Sequence, residues 1–503
     1  MTVTLTGSAV TISGDVTIQG GGSTSAITGD ALSNIITVTA SGDAIVQGVR
    51  IYGAIVADAV SCGGGIHNDG TLQVSNVLFN NNQVNGQGGA ICNAGTADLL
   101  DSVTVDANSA LVGPGGGVYN AGVMTITNSV ISNNSVTGVD NGGDGAGVGN
   151  AETGDLTIDY THITGNTGTA PACGDCSSGS GITSNGTLVV KHSTIDGNHG
   201  DNSAAIQAKG SSTIDSSTIA NNDYGSITNL KTGAMTIVNS TISGNLAGEY
   251  PKSGFGGIHN DGSLSVLRST IADNTAVGYE YGGFYNSNQS VQTVLLSDLI
   301  SNNGAKSCSN GGNVVSQGGN VMTDDSCMRI PEDMVVADAK LGPLADNGGP
   351  TMTRALLLDS PAIDNGSNHQ CVLDQRGATR PVGATCDAGA FESGGSVPGV
   401  TPSPSPTPAP AAYPMGDTNC SDTVTSSDVT AELRLVDGLD APSDCGRTAF
   451  PCTNIDGLCY PVWVNPDCND AIDGMDVLMI LSYVAGTPLT ADCTAVGVVP
   501  GLE

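Results

Sequence analysis

A short pattern recurs along residues 60–305: an apolar-x-apolar step, often a Ser, then apolar-x-x-Asn. It reads LSVLRSTIADN from Leu264 to Asn274 and MTIVNSTISGN from Met235 to Asn245. MTITNSVISNN begins at Met124, LTIDYTHITGN at Leu156 and LVVKHSTIDGN at Leu188. Before each copy stands an apolar anchor: Ile66, Ile91, Val118, Val148, Ile182, Ile206, Ile227, Ile258 or Phe284, spaced 21 to 34 residues apart. Few folds accept such a chain. Period-2 alternation over a few residues is a strand with one buried face. Two or three such strands in ~27 residues, separated by Gly, Asn and Asp, make one coil of a parallel β-helix.

Coils stack ~4.8 Å apart, so equivalent residues lie above one another. An inner apolar stack is expected from Phe79, Val105, Ile131, Ile163, Ile195, Ile219, Ile242, Ile271 and Leu299. A corner ladder is expected from Asn82, Asn108, Asn134, Asn166, Asn198, Asn222, Asn245, Asn274 and Asn302. Asn tolerates left-handed backbone angles, and its amide bonds to the amide above. Length variation collects between this Asn and the next Gly, so insertions leave from one corner. The sequence GIHNDG occurs near both Ile66 and Ile258, but the intervening coils carry GAICNAG, GVYNAG and GITSNG there. His67 and His259 are therefore expected to face outward beside a turn, not to form a doubled catalytic centre.

GGAICNAG at Gly88 to Gly95 and FNNN at Phe79 to Asn82 resemble the repeats of polymorphic outer membrane proteins and other right-handed parallel β-helix proteins. The expected fold is all-β over residues 1–336, a right-handed parallel β-helix, followed by a small α-helical domain. Residues 337–392 differ in character. Asn347 to Thr351 (NGGPT), Ser360 to Asp364 (SPAID), Asp374 to Gly377 (DQRG) and Gly389 to Glu392 (GAFE) resemble the choice-of-anchor Q module. That module closes many bacterial β-helix surface proteins, which implies a cap over the exposed strand edges. Residues 393–414 alternate Pro with Ser, Thr and Ala, an extended spacer.

Beyond the spacer stand DTNCSDTVTSSD from Asp417 to Asp428 and NPDCNDAIDGMD from Asn465 to Asp476. Each places oxygen-bearing side chains at loop positions 1, 3, 5, 9 and 12, the spacing that surrounds Ca²⁺, and a helical run follows. The doubled unit resembles a type I dockerin, over residues 415–503. The resemblance implies two calcium ions and a cohesin partner. One ion would take Asp417, Asn419, Ser421, Thr425 and Asp428, with the Thr423 carbonyl. The other would take Asn465, Asp467, Asn469, Asp473 and Asp476, with the Ala471 carbonyl. Partner contacts fall on Ser426, Ser427, Leu433 and Arg434, and on Gly474, Met475, Leu481 and Ser482. The chain departs from the family at loop position 6, where Asp422 and Asp470 replace Gly, and at Asn465, Ser421 and Asn469, each with one carboxylate fewer. Zinc is not expected, because no His lies there.

The 14 cysteines point to disulfides in an oxidising compartment, hence to a secreted or cell-surface protein. Close pairs are Cys173 with Cys176, Cys308 with Cys327 and Cys371 with Cys386. Cys420 to Cys445 and Cys468 to Cys493 repeat one spacing of 25, which would tie each Ca²⁺ loop to its own helix and leave Cys452 with Cys459; spacing leaves other pairings open. No signal peptide or spanning apolar run is visible, and the first strand reads as cut into an existing pattern, so the natural start is expected upstream.

Lys plus Arg number 14 against 48 Asp plus Glu, a net charge of −34, which argues against nucleic acid as a partner. Many parallel β-helices act on polysaccharides, and such catalysis needs a base with carboxylates or an aromatic sugar platform. Basic residues in the rod are few: Arg50, Lys191, Lys209, Lys231, Lys252 and Arg268. Lys191-His192 is the best single base candidate, placed in a strand, but no accompanying carboxylate set is visible. Tyr250, Phe255, Tyr279, Tyr281, Phe284 and Tyr285 cluster as a sugar platform or as loop packing. The reading that results is a noncatalytic adhesive or structural rod, attached by the dockerin-like module and contacting a polysaccharide or cell-surface ligand. Its alternatives are a scaffold-docked polysaccharide lyase or glycoside hydrolase, and a calcium module that only stabilises.

Overall fold

The computed structural model describes residues 2–397 apart from 6–7, 23–24, 30–33, 58–61, 138–144, 170–178, 201–203, 248–254, 278–280, 288–289, 312, 328 and 369–370; beyond 397 it describes only the backbone of the antiparallel hairpin Cys452–Ile455/Leu458–Pro461. Residues 1–401 form one unit and residues 402–503 another. The first unit is a parallel β-helix, as the repeat predicts. A typical coil adds three residues to a first sheet (Ile66–Asn68), five to a second (Thr71–Ser75) and three to a third (Leu78–Asn80). The first and second sheets each hold 12 strands and the third 14, with every pairing parallel between successive coils. A short fourth sheet of 6 strands runs from Ile55–Val56 to His199–Gly200. No helix occurs among the described residues.

Alternation creates the core. In Thr71–Ser75 the side chains of Leu72 and Val74 are buried while Thr71 and Gln73 are exposed. The third sheet stacks Phe79 on Val105, Ile131, Ile163, Ile195, Ile219, Ile242 and Ile271, all fully buried. The coil after Ile271 keeps the same register, one residue later than the sequence expectation placed it. Ile300, not Leu299, pairs with Ile271, and Asn303, not Asn302, completes the ladder. Leu299 instead points outward and is buried against Val321, Ala339 and Leu356.

Three buried ladders hold the corners. The predicted one runs from Asn82 to Asn303. Each Nδ2 donates to the next Oδ1, at 2.9 Å from Asn82 to Asn108 and 2.8 Å from Asn245 to Asn274. Each also donates to a carbonyl of the coil before, as Asn82 does to Ile51. A second ladder joins Asn68, Asn93, Asn120 and Asn150 between the first and second sheets, and resumes at Asn229, Asn260 and Asn286. Ser184 and Ala208 stand at the equivalent positions in between. The third runs between the second and third sheets, where backbone N–H groups donate to Ser193, Ser217, Ser240, Ser269, Asp298, Asn320 and Asp333 in turn. Losing one rung leaves buried donors and acceptors unpaired, at about 1–3 kcal/mol.

The paired glycines before several first-sheet strands have two distinct jobs. Gly63 and Gly88 take φ of 76° and 67°, where a side chain is strained. Gly89 lets the coils touch, since a Cβ there would lie 2.1 Å from the Gly116 carbonyl oxygen.

After Met334–Val335, the last strand of the third sheet, the chain turns back. Residues 339–392 lie along the outer face of the third sheet beside Thr218, Thr241, Thr270 and Leu299. These contacts are with the side of the rod, whereas the sequence led to the expectation of a cap over its strand edges. The reason lies in the outer residues of those coils, which are small or apolar and accept a second layer.

Candidate functional site

The sequence-predicted calcium ligands Asp417, Asn419, Ser421, Thr423, Thr425, Asp428, Asn465, Asp467, Asn469, Ala471, Asp473 and Asp476 lie outside the described residues. So do the partner-contact positions Ser426, Ser427, Leu433, Arg434, Gly474, Met475, Leu481 and Ser482, and the cysteines Cys420, Cys445, Cys468 and Cys493. Of Cys452 and Cys459 only the backbone is described, on opposite strands of the hairpin.

Cysteine pairing within the rod matches the sequence expectation in part. Cys308–Cys327 and Cys371–Cys386 are disulfides, as their spacing suggested. The expected bond between Cys173 and Cys176 is not among the disulfides described, because Cys173 and Cys176 both fall in the insertion 170–178, outside the described residues. The third described disulfide is instead Cys62–Cys92, 30 residues apart in sequence, which no close spacing signals. It ties the turn before one coil to the first-sheet strand of the next.

The choice-of-anchor-like pieces converge into one buried polar network. Asp374 accepts from Arg376 Nε at 2.9 Å and Nη2 at 2.7 Å, and from the Ala378 and Glu392 backbone at 2.9 and 3.0 Å. Gln375 Nε2 donates to Thr218 and Thr351, both at 2.9 Å, while Thr241 donates to Gln375 Oε1 at 2.6 Å. Arg376 also reaches the Asn347 and Glu392 carbonyls. Arg354 bonds to Ser243 and Asp273 of the rod. Arg380 lies 3.6 Å from Glu392, both wholly buried. Burial pushes the Glu392 and Asp387 carboxyls up and the Arg380 guanidinium down, and the opposite charges work against those shifts. The network holds 339–392 together and onto the rod; Arg376 is taken up by Asp374, whereas Arg380 donates only from Nη2, to the Gly389 carbonyl, and its Nε and Nη1 have no hydrogen-bond partner.

Where this segment meets the rod, a groove of about 250 Å³ opens between Tyr160, His192, Asp215 and Asn239 on one side and Pro350 and Leu373 to Gly377 on the other. Lys191-His192 was the expected base candidate. Lys191 ends the strand Thr187–Lys191 as expected, whereas His192 lies just past it, at a corner with φ 43°. Its Nδ1 is 2.9 Å from Asp159 Oδ1, and its ring stacks on Tyr160 with centroids 4.7 Å apart. Lys191 follows the strand's alternation, half-exposed between Asp159 and Asp215 in the stack. Tyr160, unflagged by the sequence reading, has φ 45° and a half-exposed side chain. An L-residue in this region costs about 1–2 kcal/mol. A second groove of about 350 Å³ lies on the other flank of the segment, between Asn221 and Asp273 and the residues Pro343, Leu344 and Met352.

Histidine and aspartate recur as pairs elsewhere. His67 meets Asp69 at 3.2 Å and His259 meets Asp261 at 3.4 Å, both outward beside the turn, as the repeat implies. His162 meets Asp196 at 2.7 Å, which holds the imidazole above its ordinary pKa. Against the burial that would raise it, hydrogen bonds from His162 and Thr164 hold Asp196 below the usual carboxylate range. No group of three or more His, Cys, Asp or Glu side chains arranged for a metal occurs among the described residues. No helix among them is long and apolar enough to cross a membrane.

The aromatic residues of the later coils do assemble, though not all of them. Phe255 stacks on Tyr285 at 4.1 Å, and His259 packs edge-on to Tyr285 at 5.3 Å. Tyr281 lies 6.0 Å from Tyr285 and carries Lys306 over its ring. Phe284 points the other way, into the core. Tyr250 and Tyr279 lie outside the described residues.

No family model matches the chain, and no curated protein does. Among solved structures, the crystal structure of the pectate lyase Pel9A overlaps 78% of this chain and 86% of its own, with 15% sequence identity and a TM-score of 0.36. So loose an overlap carries no inference about the activity of this chain.

Proposed function

We propose that this protein is an extracellular, noncatalytic β-helical rod that binds polysaccharide through its sides, an adhesive or structural element. The observation that supports this best is the aromatic group Phe255, Tyr281 and Tyr285 with His259, gathered on the outer face of the first sheet. Aromatic faces beside polar side chains suit the apolar faces and hydroxyls of sugars. The disulfides support an oxidising, extracellular setting. The dockerin-like segment would fold on two calcium ions and dock the rod to a cohesin; by itself it would be a stabilising clamp.

One observation favours an enzyme instead. His192 is oriented by Asp159 beside a groove, as a general base would be. A panel of polysaccharides separates the readings. The rod should retain a polymer in pull-downs yet release no reducing ends or unsaturated products. Turnover that disappears in Lys191→Ala or His192→Asn would overturn the noncatalytic reading. Chelating calcium should make residues 415–495 protease-sensitive and spare the rod; unchanged cleavage of that segment would sink the calcium assignment.

A further inference from the structure

The corner between the second and third sheets repeats one backbone conformation while its side chain varies. Successive backbones here take left-handed angles: Asn128, Tyr160, His192, Ser216, Asn239, Arg268 and Ser297 occupy equivalent places, with φ between 43° and 56°. Asn and Ser suit that geometry, because their short side chains bond locally. His is also common in that region, which leaves Tyr160 and Arg268 as the bulky residents. Tyr160 and His192 are the two aromatic residents, they follow one another in the stack, and they face a groove. Backbone strain kept at Tyr160 on a groove wall points to a use beyond folding.

We propose that the Tyr160–His192 corner is a subsite for one uncharged sugar residue. The half-exposed Tyr160 ring, backed by His192, offers a flat apolar face. Asp215 and Asn239 at the same wall offer polar partners for hydroxyls. The 250 Å³ volume lies below the ~300–1,000 Å³ of drug-sized pockets, which fits a single ring and not a wrapped chain. Charge narrows the class further. Asp215 lines the groove, Asp159 stands behind its His192, and Arg376 is committed to Asp374, so a uronate would meet repulsion without a free cation to receive it. The wall at Pro350 and Leu373 to Gly377 belongs to the segment laid on the rod, so the subsite exists only because that segment stops there.

This inference rests on the polysaccharide-binding reading and is tested separately from it. Short neutral oligosaccharides and a short oligogalacturonate are titrated calorimetrically into the full chain with calcium present, beside pull-downs on long polymers. A neutral oligomer should bind and the uronate should not. Tyr160→Asn should weaken binding by at least ~10-fold without lowering the melting temperature, since Asn is the resident of Asn128 and Asn239. Tyr160→Phe, which keeps the ring, should stay within ~3-fold. Equal oligomer binding by Tyr160→Asn and wild type, or preference for the uronate, overturns the subsite. Polymer retention without any oligomer binding also overturns it, and leaves the adhesive reading standing. Loss of both polymer and oligomer binding in the wild type removes the two together.

Discussion

The outer face of the third sheet has two halves built on the same inner stack. In the coils from Arg50 to Asp196 the outward residues Arg50, Tyr52, Leu78, Thr104, Asp106, Val130, His162, Thr164, Thr194 and Asp196 are half-exposed or exposed, and Asn80 and Ser132 are covered only by their neighbours Arg50 and Asp106. From Thr218 onward they are Thr218, Ala220, Thr241, Ser243, Thr270, Ala272, Leu299 and Ser301, all buried. Residues 339–392 lie on the second half alone. Strand geometry, inner isoleucines and corner ladders are shared, so the outer side chains decide which coils take a second layer. Charged or bulky groups keep a sheet face in water; small ones let another backbone approach. The Tyr160 groove lies at the border between the halves.

The comparison can be broken in several ways. The largest effect should come from the buried network. Arg380→Met or Arg376→Met leaves carboxylates buried without their cation, at about 3–5 kcal/mol. Hydrogen exchange should then speed up in residues 339–392 and in the coils from 216 to 301, but not in those before 196. Uniform acceleration along the rod would deny the two halves their independence. Next come the inner positions. Ile163→Ala and Ile242→Ala should each cost about 2–5 kcal/mol, with similar values in both halves, as measured by denaturant midpoints. A much larger loss in the covered half would mean that the second layer stiffens the core beneath it.

Outer positions should separate the halves most cleanly. Thr241→Lys removes the bond to Gln375 and buries a cation, so a loss of at least ~2 kcal/mol is expected. Thr194→Lys in the open half should stay within about 0.5 kcal/mol. Equal effects would refute the role assigned to side-chain size. Acidity gives a further handle. Asp298, a rung of the third ladder, is wholly buried, and desolvation raises its pKa to about 8 despite bonds from Ser269 and Leu296 N–H. Its folded pKa exceeds the unfolded one, so the folded state binds the extra proton between about pH 4 and 8 and loses stability as pH rises through that window. Asp298→Ser, the residue of the preceding rungs, should flatten that decline in melting temperature. A wild type whose melting temperature is flat across the window would contradict it. The His162–Asp196 pair of the open half should matter least. Its contribution needs Asp196 ionised and His162 protonated, so it is present between the lowered carboxylate and raised imidazole pKa values and fades on either side. Both groups are part-exposed, and His162→Thr should change stability by under ~1 kcal/mol at pH 6.

Much of the rod could be read from the chain. Phe79 to Ile271 and Asn82 to Asn274 were found by period alone, because every coil repeats one local problem. The register at Leu299 and Ile300 was not, because Leu-Ile followed by Asn302-Asn303 satisfies the apolar-x-x-Asn pattern from either residue. The second and third ladders had visible signals, the Asn of NDG and NAG turns and the Ser that follows several second-sheet strands, as at Ser193, Ser217, Ser240 and Ser269. Their burial was not visible, since Ser and Asn read first as turn formers. Close spacing singled out Cys173 with Cys176, whereas Cys62–Cys92 escaped because its partners approach across coils. Lys191-His192 was singled out as a base without partners, whereas Tyr160, Asp159 and the groove beside His192 come from other coils and from residues 350 and 373–377.

Sequence alone therefore determined the coil: its strands, its buried face and its corner Asn, all set by interactions within ~30 residues and repeated at fixed register. Only the tertiary structure decided what lies on the coil. Gln375 finds Thr218 across 157 residues and Ala390 finds Thr270 across 120. Such contacts have no period to announce them. They arise where one surface happens to be small, buriable and complementary to another, and that is a property of assembled faces.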